Sequence, residues 1–344
     1  MKRQTWIAAG LVVTLTLVAG CQINPKPGTP FMTVCGSRFC LFGAPFYPYG
    51  ATIYQSTPQA GIDNPTGAVA LAQSQHLNTI RLVNFLPHDG SPASAAYAPT
   101  TWAKVDTFIA DAQGANIRIL LDLSDYKAEL WNACTNPYTA SWTKFLTFVA
   151  DRVNTVTGVT YASDPEIVLV TFTGEPLPVG SYSFSRSSGK ACTISYSTSQ
   201  LTQFYAGVEA TWKSLDQNHL IAAGGLSKVD NPNSGIDWQS IFGNKNNDVC
   251  AWKTYGNMYS WLPTGAQYCL NQLHKPWFND EWGYTQNTGD SVRAALFDSQ
   301  FTNNAANGAA GNFYWNANYL TNPTTYDVSP ATPLTQAAVV NNAP

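Results

Sequence analysis

The stretch DPEIVLVTFTGEPLP (residues 164–178) is uncharged from Ile167 to Gly174 and then ends on a carboxylate, Glu175, which is followed by a proline. A short apolar run rich in β-branched residues is typical of a buried strand. Glu175 therefore lies at the carboxyl end of a predicted strand, and in α/β barrels that end of the sheet carries the active site. The stretch predicts both a buried β-strand and a candidate functional residue.

Similar apolar runs recur along the chain and alternate with amphipathic segments. The predicted strands cover residues 46–52, 78–85, 117–124, 166–176, 219–226, 248–255, 275–283 and 312–318. The predicted helices cover residues 65–76, 101–115, 141–158, 199–216 and 291–308. This alternation indicates parallel strands joined by helical crossovers. We predict an α/β fold, a single-domain (β/α)8 TIM barrel; a doubly wound open sheet is less favoured because no glycine-rich phosphate loop follows the first strand.

The composition limits the domain count and the class of partner. A chain of 344 residues with 44% hydrophobic content can bury one large core, and although two domains remain possible, no internal linker is visible. Lys and Arg number 18 against 21 Asp and Glu, which argues against nucleic acid or an anionic membrane as the main partner. Neutral polar side chains with 11 Trp and 17 Tyr suit a sugar-binding cleft, although an ordinary secreted protein can have the same composition.

The first residues have the pattern of an export signal. Lys2 and Arg3 precede an apolar run over residues 6–19, and small residues precede Cys21. These features predict a secretory signal peptide over residues 1–20, which takes no part in the fold.

The end of this signal resembles a bacterial lipobox, in which the cysteine becomes lipidated; a plain signal peptide with an incidental Cys21 is the alternative. Residues 21–30 then read as a short tether and residues 31–344 as the barrel domain. We expect an exported, monomeric protein that is attached to a bacterial cell surface only through a lipid on Cys21, or is otherwise extracellular.

The six cysteines that follow Cys21 are an even set, and in an exported chain such a set predicts disulfides. Their spacing only ranks the possible pairings: Cys35 with Cys40 and Cys250 with Cys269 come first, which leaves Cys134 with Cys192. No cysteine pair has the spacing of a zinc site and the histidines are scattered, so we expect no metal and no other cofactor.

Two glutamates occupy strand ends that meet at the same mouth of the predicted barrel. Glu175 ends the fourth strand, and Glu281, in WFNDEWGY, ends the seventh. Cleavage of a glycosidic bond needs two carboxyl groups, one that protonates the leaving oxygen and one that attacks or activates water. Each glutamate alone could be a salt-bridged strand terminus, but their joint placement favours a catalytic pair.

Three stretches resemble glycoside hydrolase family 5, above all its endo-β-1,4-mannanase branch: LFGAPFYPYGATIY (41–54), RVNTVTGVTYASDPEIVLVTFTGEP (152–176) and SLDQNHLIAAGG (214–225). The resemblance extends over roughly residues 38–320. It implies a TIM barrel and retention of anomeric configuration, with Glu175 as acid/base and Glu281 as nucleophile. Retaining enzymes hold these two carboxyl groups about 5 to 5.5 Å apart.

The resemblance also implies three substrate-binding residues. Arg81 matches the arginine that orients the nucleophile, and Trp315 matches the tryptophan that forms a platform under the sugar at the cleavage point. Tyr255 is the best match for the tyrosine beside the nucleophile, with Tyr259 as the fallback.

The chain departs from the family pattern at three positions. Gly174 stands where the family normally has the asparagine that donates a hydrogen bond to the sugar 2-hydroxyl, and Ser124 and Lys253 stand where members often have histidines. Asn84 and Asn316 are candidates to replace the missing donor.

We therefore expect a secreted retaining glycoside hydrolase that acts on a β-linked polysaccharide or oligosaccharide, mannan before glucan. Gly174 favours an alternative, a catalytically weak or inactive barrel that binds carbohydrate. A nonenzymatic surface interaction protein is a third, weaker possibility.

Overall fold

A computed structural model of the chain describes residues 29–53, 60–186, 189–318 and 325–344. The predicted signal peptide, Cys21 and nearly all of the predicted tether lie outside these residues. Within the described ranges, no helix is both long and apolar enough to cross a membrane.

The strands of the described structure form three sheets. In chain order they are β1 (Thr33–Cys35), β2 (Arg38–Leu41), β3 (Ala44–Phe46), β4 (Tyr49–Ile53), β5 (Thr79–Leu82), β6 (Arg118–Asp122), β7 (Ile167–Thr171), β8 (Gly180–Ser185), β9 (Ala191–Tyr196), β10 (Leu220–Ala222), β11 (Cys250–Thr254), β12 (Trp277–Trp282) and β13 (Gly311–Ala317). Strands β1 to β3 form a small antiparallel sheet, β8 and β9 form a hairpin, and the remaining eight form one parallel sheet.

The parallel sheet has the order β10-β7-β6-β5-β4-β13-β12-β11. Its two outer strands approach each other at a parallel bridge between Leu226 and Trp252. The Leu226 N–H donates to the Ala251 carbonyl (2.9 Å), and the Lys253 N–H donates to the Leu226 carbonyl (3.0 Å). The sheet is therefore closed into a barrel, which confirms the predicted (β/α)8 fold and excludes the open-sheet alternative. Each of the eight predicted strands overlaps one barrel strand.

The helices are α1 (Ala60–Asp63), α2 (Pro65–Ser74), α3 (Pro99–Gly114), α4 (Asp125–Asn132), α5 (Thr143–Ala150), α6 (Thr198–Leu215), α7 (Trp238–Gly243), α8 (Met258–Tyr268), α9 (Asp290–Ala306) and α10 (Pro333–Asn341). A π-helical turn (Cys269–Leu273) extends α8, and 3₁₀ turns occur at Ala95–Tyr97, Tyr161–Ser163, Pro232–Ser234 and Gln286–Thr288. Helix α6 begins at a capping box, in which Ser197 and Gln200 each accept the other's backbone N–H. The helices predicted over 65–76, 101–115, 199–216 and 291–308 are present.

The helix predicted over 141–158 is too long, because α5 ends at Ala150. The Asn154 side chain accepts hydrogen bonds from the N–H groups of Val156 and Thr157, at 2.8 and 3.1 Å, and so folds the following residues into a turn. Gly158 closes that turn at a φ of 73°, a conformation that favours glycine. A local side-chain bond therefore ends a pattern that is helical in its apolar spacing.

The amino-terminal sheet covers the bottom of the barrel. Phe39 of β2 and Met32 are buried in one cluster with side chains from the barrel interior, including Leu120 of β6, Phe278 of β12 and Phe313 of β13. A larger cluster fills the layer between the strands and the surrounding helices. The lower barrel is thus a packed core, which leaves the carboxyl ends of the strands as the open face.

All three predicted disulfides are present. The Cα–Cα distances are 5.9 Å for Cys35–Cys40, 5.6 Å for Cys134–Cys192 and 6.4 Å for Cys250–Cys269. The second of these joins the residues just after α4 to β9, so it fixes the β8–β9 hairpin against α4 beside the open face.

Candidate active site

Arg81 of β5 lies at the centre of the open face and is only 1% exposed. Its Nη1 donates to Glu281 Oε2 at 2.7 Å and to the Thr52 hydroxyl at 3.0 Å. Its Nε and Nη2 donate to Asp122 Oδ2 at 3.0 and 2.5 Å. The guanidinium is thereby fixed in one orientation, with one edge directed at the Glu281 carboxylate.

A β-bulge in β12 positions Glu281. Strand β11 pairs Trp252 with Asn279 and Lys253 with Glu281, so Asp280 is an extra residue between the two pairs. Successive residues of a regular strand point to opposite faces, whereas a bulge re-aims them. Here both carboxylates approach Arg81. Asp280 Oδ1 lies 3.4 Å from Arg81 Nε, and Glu281 Oε2 lies 2.7 Å from Arg81 Nη1.

Two buried aspartates complete the surroundings of Arg81. Burial would raise the pKa of Asp122, but Arg81 and Lys253 hold it below its usual value. Burial raises the pKa of Asp280 to about 6, although Arg81 and Lys253 oppose this. Neither aspartate was predicted as a site residue, yet each lies at or next to the carboxyl end of a predicted strand, which was the available signal.

The structure distinguishes the two candidate tyrosines. The Tyr255 hydroxyl donates to Glu281 Oε1 at 3.1 Å, and burial and the nearby Glu281 carboxylate raise the pKa of that phenol. The Tyr259 hydroxyl instead donates to the Gly283 carbonyl at 3.0 Å, and its ring stacks on Tyr284. Of the two, Tyr255 is the one beside the Glu281 carboxylate.

Glu175 follows β7 at the rim of the barrel, and its side chain is 45% exposed. Its backbone is left-handed (φ 48°), and its N–H donates to the Gly225 carbonyl at 2.9 Å. Lys253 has the largest effect on the pKa of Glu175 and lowers it. Burial opposes this effect, and Lys127 lowers the pKa further. Lys127, in the first turn of α4, also donates to the Gly174 carbonyl at 2.6 Å and so holds the backbone that carries Glu175.

Lys253 of β11 connects the two glutamates. Its Nζ lies 2.8 Å from Glu281 Oε2 and 3.6 Å from Glu175 Oε2, and its side chain is 7% exposed. Burial and Arg81 lower the pKa of Lys253, but Glu281, Glu175 and Asp280 outweigh them and raise it. Lys253 is therefore an ammonium group at neutral pH, and it contacts both carboxylates.

The space beside Gly174 is occupied by the same lysine. A Cβ atom at position 174 would lie 2.9 Å from Lys253 Cε, 3.3 Å from Lys253 Nζ and 3.2 Å from the Gly225 carbonyl. The Asn316 amide is engaged elsewhere, because the orientation that satisfies its hydrogen bonds directs its nitrogen at Asp327 Oδ1 (2.8 Å). Asn84 lies two residues beyond the end of β5, at the same end of the barrel as Glu175.

Trp315 of β13 is partly exposed and pairs in register with Thr52 of β4, whose hydroxyl contacts Arg81. Strand pairing thus brings Trp315 to the same mouth as the two glutamates. Glu175 also borders a cavity of about 340 Å³, which is lined by Lys127, Ala128, Trp131, Asn132, Tyr138, Glu175, Leu177 and Lys228.

The β8–β9 hairpin forms part of the wall next to this cavity, because Phe184 stacks on Trp131 with ring centroids 5.3 Å apart. Sequence reasoning missed the hairpin, although Tyr182 and Phe184 alternate with serines in a period-2 pattern that indicates a strand. A larger cavity of about 980 Å³ lies at the amino-terminal end of the barrel, but its lining contains no Asp or Glu side chain. We therefore place the candidate site at the glutamates.

Within the described residues, no group of three or more His, Cys, Asp and Glu side chains is arranged to hold a metal ion. The chemistry available in the site is that of four carboxyl groups, a buried arginine, two lysines and a tyrosine hydroxyl.

Comparisons of the sequence with known proteins give one curated relative at low identity, and no family model matches the chain. The relative is mannan endo-1,4-beta-mannosidase 1 of Oryza sativa subsp. japonica, 24% identical over 226 residues. The match covers 57% of this chain and 49% of that protein, so it spans about half the length of the relative.

Solved structures of similar fold cover most of the chain. The endo-1,4-beta-mannanase of Rhizomucor miehei superimposes with a TM-score of 0.73 at 20% identity, over 91% of this chain and 98% of that one. A glycoside hydrolase family 5 mannosidase from the same fungus gives 0.65 at 16% identity, over 91% and 97%. The chain thus shares the TIM-barrel fold of these enzymes and resembles family 5, with its mannanase branch, in sequence as well.

Proposed function

We propose that the protein is a family 5 glycoside hydrolase that cleaves a β-linked polysaccharide with retention of configuration, mannan before glucan. One observation carries this proposal: a single ammonium group contacts Glu175 Oε2 at 3.6 Å and Glu281 Oε2 at 2.8 Å. The sum of these distances is the upper limit for the separation of the two oxygens. This limit lies at the lower end of the roughly 6.5 to 9.5 Å range of inverting enzymes, so the shared lysine favours the closer spacing, about 5 to 5.5 Å, of retaining enzymes.

Each glutamate has surroundings that suit one role. Glu281 is buried and contacts three donors, Arg81, Lys253 and Tyr255, which favours the negative charge of a nucleophile. Glu175 is the more exposed of the two and faces the cavity, where the oxygen of a leaving sugar can reach it.

The proposed reaction is a double displacement. Glu175 gives its proton to the glycosidic oxygen while a Glu281 oxygen attacks the anomeric carbon, which forms a covalent glycosyl ester and releases the first sugar. Glu175, now ionised, takes a proton from water, and the resulting hydroxide attacks the same carbon and frees Glu281.

The choice of mannan rests on the names of the similar proteins, several of which are mannanases. We further propose that residues 31–344 form the catalytic domain of an exported, monomeric protein with a lipid on Cys21. The apolar run over residues 6–19 and the three disulfides support export, since disulfides persist in oxidising compartments.

One observation favours the second candidate function, a weak or inactive barrel that binds carbohydrate. Lys253 and Lys127 lower the pKa of Glu175, so this residue is a poorer proton donor at neutral pH than an acid/base with a raised pKa. If the enzyme is active, we therefore expect its rate to fall as the pH rises above the acidic range.

The test measures reducing-sugar release from mannan, cellulose, xylan and mixed-linkage glucan at several pH values. NMR during the reaction identifies which anomer of the product forms first. We expect release of the β-anomer, with mannan the best substrate. Glu175→Gln and Glu281→Gln should each lower kcat by at least about 100-fold. Glu209→Gln is the matched control. Burial raises the pKa of this α6 glutamate and so favours its neutral carboxyl form, which an amide resembles in size and charge.

An α-anomer as the first product would exclude retention. Full activity of either glutamine variant would exclude the assigned catalytic pair. Binding of a polysaccharide without cleavage at any pH would establish the second candidate function instead.

A further inference from the structure

We propose that Lys253 is the hydrogen-bond donor to the sugar hydroxyl next to the anomeric carbon, in the place that Gly174 leaves without a side chain. This role presupposes the hydrolase proposed above. It makes Lys253 a residue that touches the substrate, rather than only a partner of the two glutamates.

The first support is the space that the lysine occupies. Gly174 and Gly225 both lie against its side chain: a Cβ at 174 would approach Lys253 Cε at 2.9 Å, and a Cβ at 225 would approach Lys253 Cγ at 2.4 Å. Real Cβ atoms are essentially never this close to a neighbour. The lysine therefore keeps this position only while both residues are glycine, because a Cβ at either one would displace its flexible side chain.

The second support is the position of the ammonium between the two carboxylates. The anomeric carbon must lie between the nucleophile and the acid, and Lys253 Nζ contacts both groups. An ammonium has three donors, and the contacts with Glu281 and Glu175 engage at most two of them. The third can reach a hydroxyl on the neighbouring sugar carbon.

The third support is energetic. Hydrogen bonds to the 2-hydroxyl of a glycoside strengthen in the oxocarbenium-like transition state, and a charged donor forms a stronger hydrogen bond than a neutral one. Lys253 is held as an ammonium by Glu281, Glu175 and Asp280. A buried lysine can thus supply the interaction that the absent side chain at position 174 cannot.

The experiment compares Lys253→Met with the wild type on two substrates. Both are aryl glycosides of the oligosaccharide that the wild type cleaves best, with and without the 2-hydroxyl on the sugar that bears the aryl group. On the full substrate we expect Lys253→Met to lower kcat/KM by about 10- to 100-fold, mainly in kcat. On the 2-deoxy substrate, with each protein measured at its own pH optimum, the loss should be at least about 3-fold smaller, because the hydroxyl that Lys253 binds is missing and only its contacts with the carboxylates are lost.

Gly174→Ala provides a second variant that keeps the lysine. Its methyl group would crowd Lys253 Cε, so we expect a loss on the full substrate that is again smaller on the 2-deoxy one. This smaller change tests the same contact even if Lys253→Met does not fold. Lys275→Met is the lysine control, because Lys275 Nζ donates to the carbonyls of Phe242 and Asn244 and to neither glutamate.

The pH profile gives a further readout. Glu175 faces Lys253 from β11, Lys127 from α4, Arg81 from β5 and Lys228 beyond β10, and all four lower its pKa. Lys253→Met removes the largest of these effects, so the alkaline limb of the kcat/KM profile should move to higher pH.

An equal loss on the full and the 2-deoxy substrate would overturn the proposal, because Lys253 would then act only on the carboxylates. That result would leave the hydrolase intact, as long as Glu281→Gln is inactive. If the wild type cleaves none of the polysaccharides, both proposals fail.

Discussion

Tyr255 and Tyr259 are four residues apart, yet their hydroxyl groups have different partners. The first donates to the Glu281 carboxylate, and the second donates to a backbone carbonyl at Gly283. The difference matters because a hydrogen bond to a charged group contributes more than one between neutral groups. The two tyrosines therefore form a matched pair for measuring what the phenol beside Glu281 contributes.

We predict that Tyr255→Phe lowers kcat/KM by about 10-fold or more, since it removes a donor from the carboxylate that attacks. Tyr259→Phe should change kcat/KM by less than about 2-fold and should lower stability by about 1 kcal/mol. Steady-state kinetics and urea unfolding of both variants check this. A larger kinetic loss in Tyr259→Phe than in Tyr255→Phe would contradict the assignment.

Individual site residues were predictable from the sequence where a charged residue lies in or just after a predicted strand. Glu175, Glu281 and Arg81 each lie in or just after an apolar strand, where a charge is conspicuous. The role of Lys127 was not predictable, because it lies on a helix, and its contact with the Gly174 carbonyl and its effect on the pKa of Glu175 depend on how that helix packs against the barrel. The contact between Lys253 and Gly174 depends on how three strands close the barrel, and no local pattern encodes it.

At the scale of elements, the eight barrel strands were predictable because buried parallel strands are continuous apolar runs. The bulge at Asp280 was not, since WFNDEW has no glycine or other local sign of an extra residue. This bulge is nevertheless the feature that directs both Asp280 and Glu281 toward Arg81.

The β8–β9 hairpin depends on one covalent link to α4, the Cys134–Cys192 disulfide. That bond spans 58 residues, whereas Cys35–Cys40 spans 5. If a disulfide stabilises mainly by limiting the unfolded chain, the longer loop contributes more.

We predict that Cys134→Ala with Cys192→Ala lowers the free energy of unfolding by up to about 4 kcal/mol, and Cys35→Ala with Cys40→Ala by up to about 2 kcal/mol. Only the first pair should also lower activity, because α4 carries Lys127 and Trp131 beside Glu175. Denaturant unfolding and kinetics of both double variants provide the comparison. Unchanged activity without the Cys134–Cys192 bond would mean that the hairpin keeps its place through packing alone.

At the scale of the whole molecule, parts of two stretches that carry the family resemblance, 152–176 and 214–225, meet at the end of the barrel away from the site. His219 Nε2 lies 2.9 Å from the Asp164 carbonyl, and the Asn218 side chain donates to the Ala162 carbonyl. Asp164 precedes β7, whereas Glu175 follows it, so these contacts lie at the opposite end of the barrel. These matched residues hold barrel segments together and do not contact the substrate site. The resemblance therefore predicted the fold better than the details of the site.

A second cluster of this kind surrounds Asp106 of α3. Its buried carboxylate accepts hydrogen bonds from Arg152, Thr155 and Tyr161, at distances between 2.6 and 3.0 Å. Burial would raise the pKa of Asp106, but these donors outweigh it and lower the pKa. The ionised carboxylate thus joins α3 to the segment that follows α5.

A lowered pKa in the folded state stabilises the protein above the ordinary pKa of the group, and the effect is lost as the pH falls through the folded value. We predict that Asp106→Asn destabilises the protein at pH 7 and that this difference from the wild type shrinks below about pH 4. Urea unfolding across this pH range measures it. Asp151→Asn, at an exposed position just after α5, is the control, and a pH-independent difference for Asp106→Asn would contradict the electrostatic explanation.

The crowding between position 174 and Lys253 also constrains how such a barrel can evolve. Because a Cβ at 174 would lie 2.9 Å from Lys253 Cε, a side chain cannot arise there while the lysine keeps its position. Loss of the lysine alone would leave a void beside a bare glycine. The two positions are therefore expected to covary among homologues, and Gly-Glu-Pro together with Lys-x-Tyr is a signature for finding related barrels that a search for Asn-Glu-Pro would overlook.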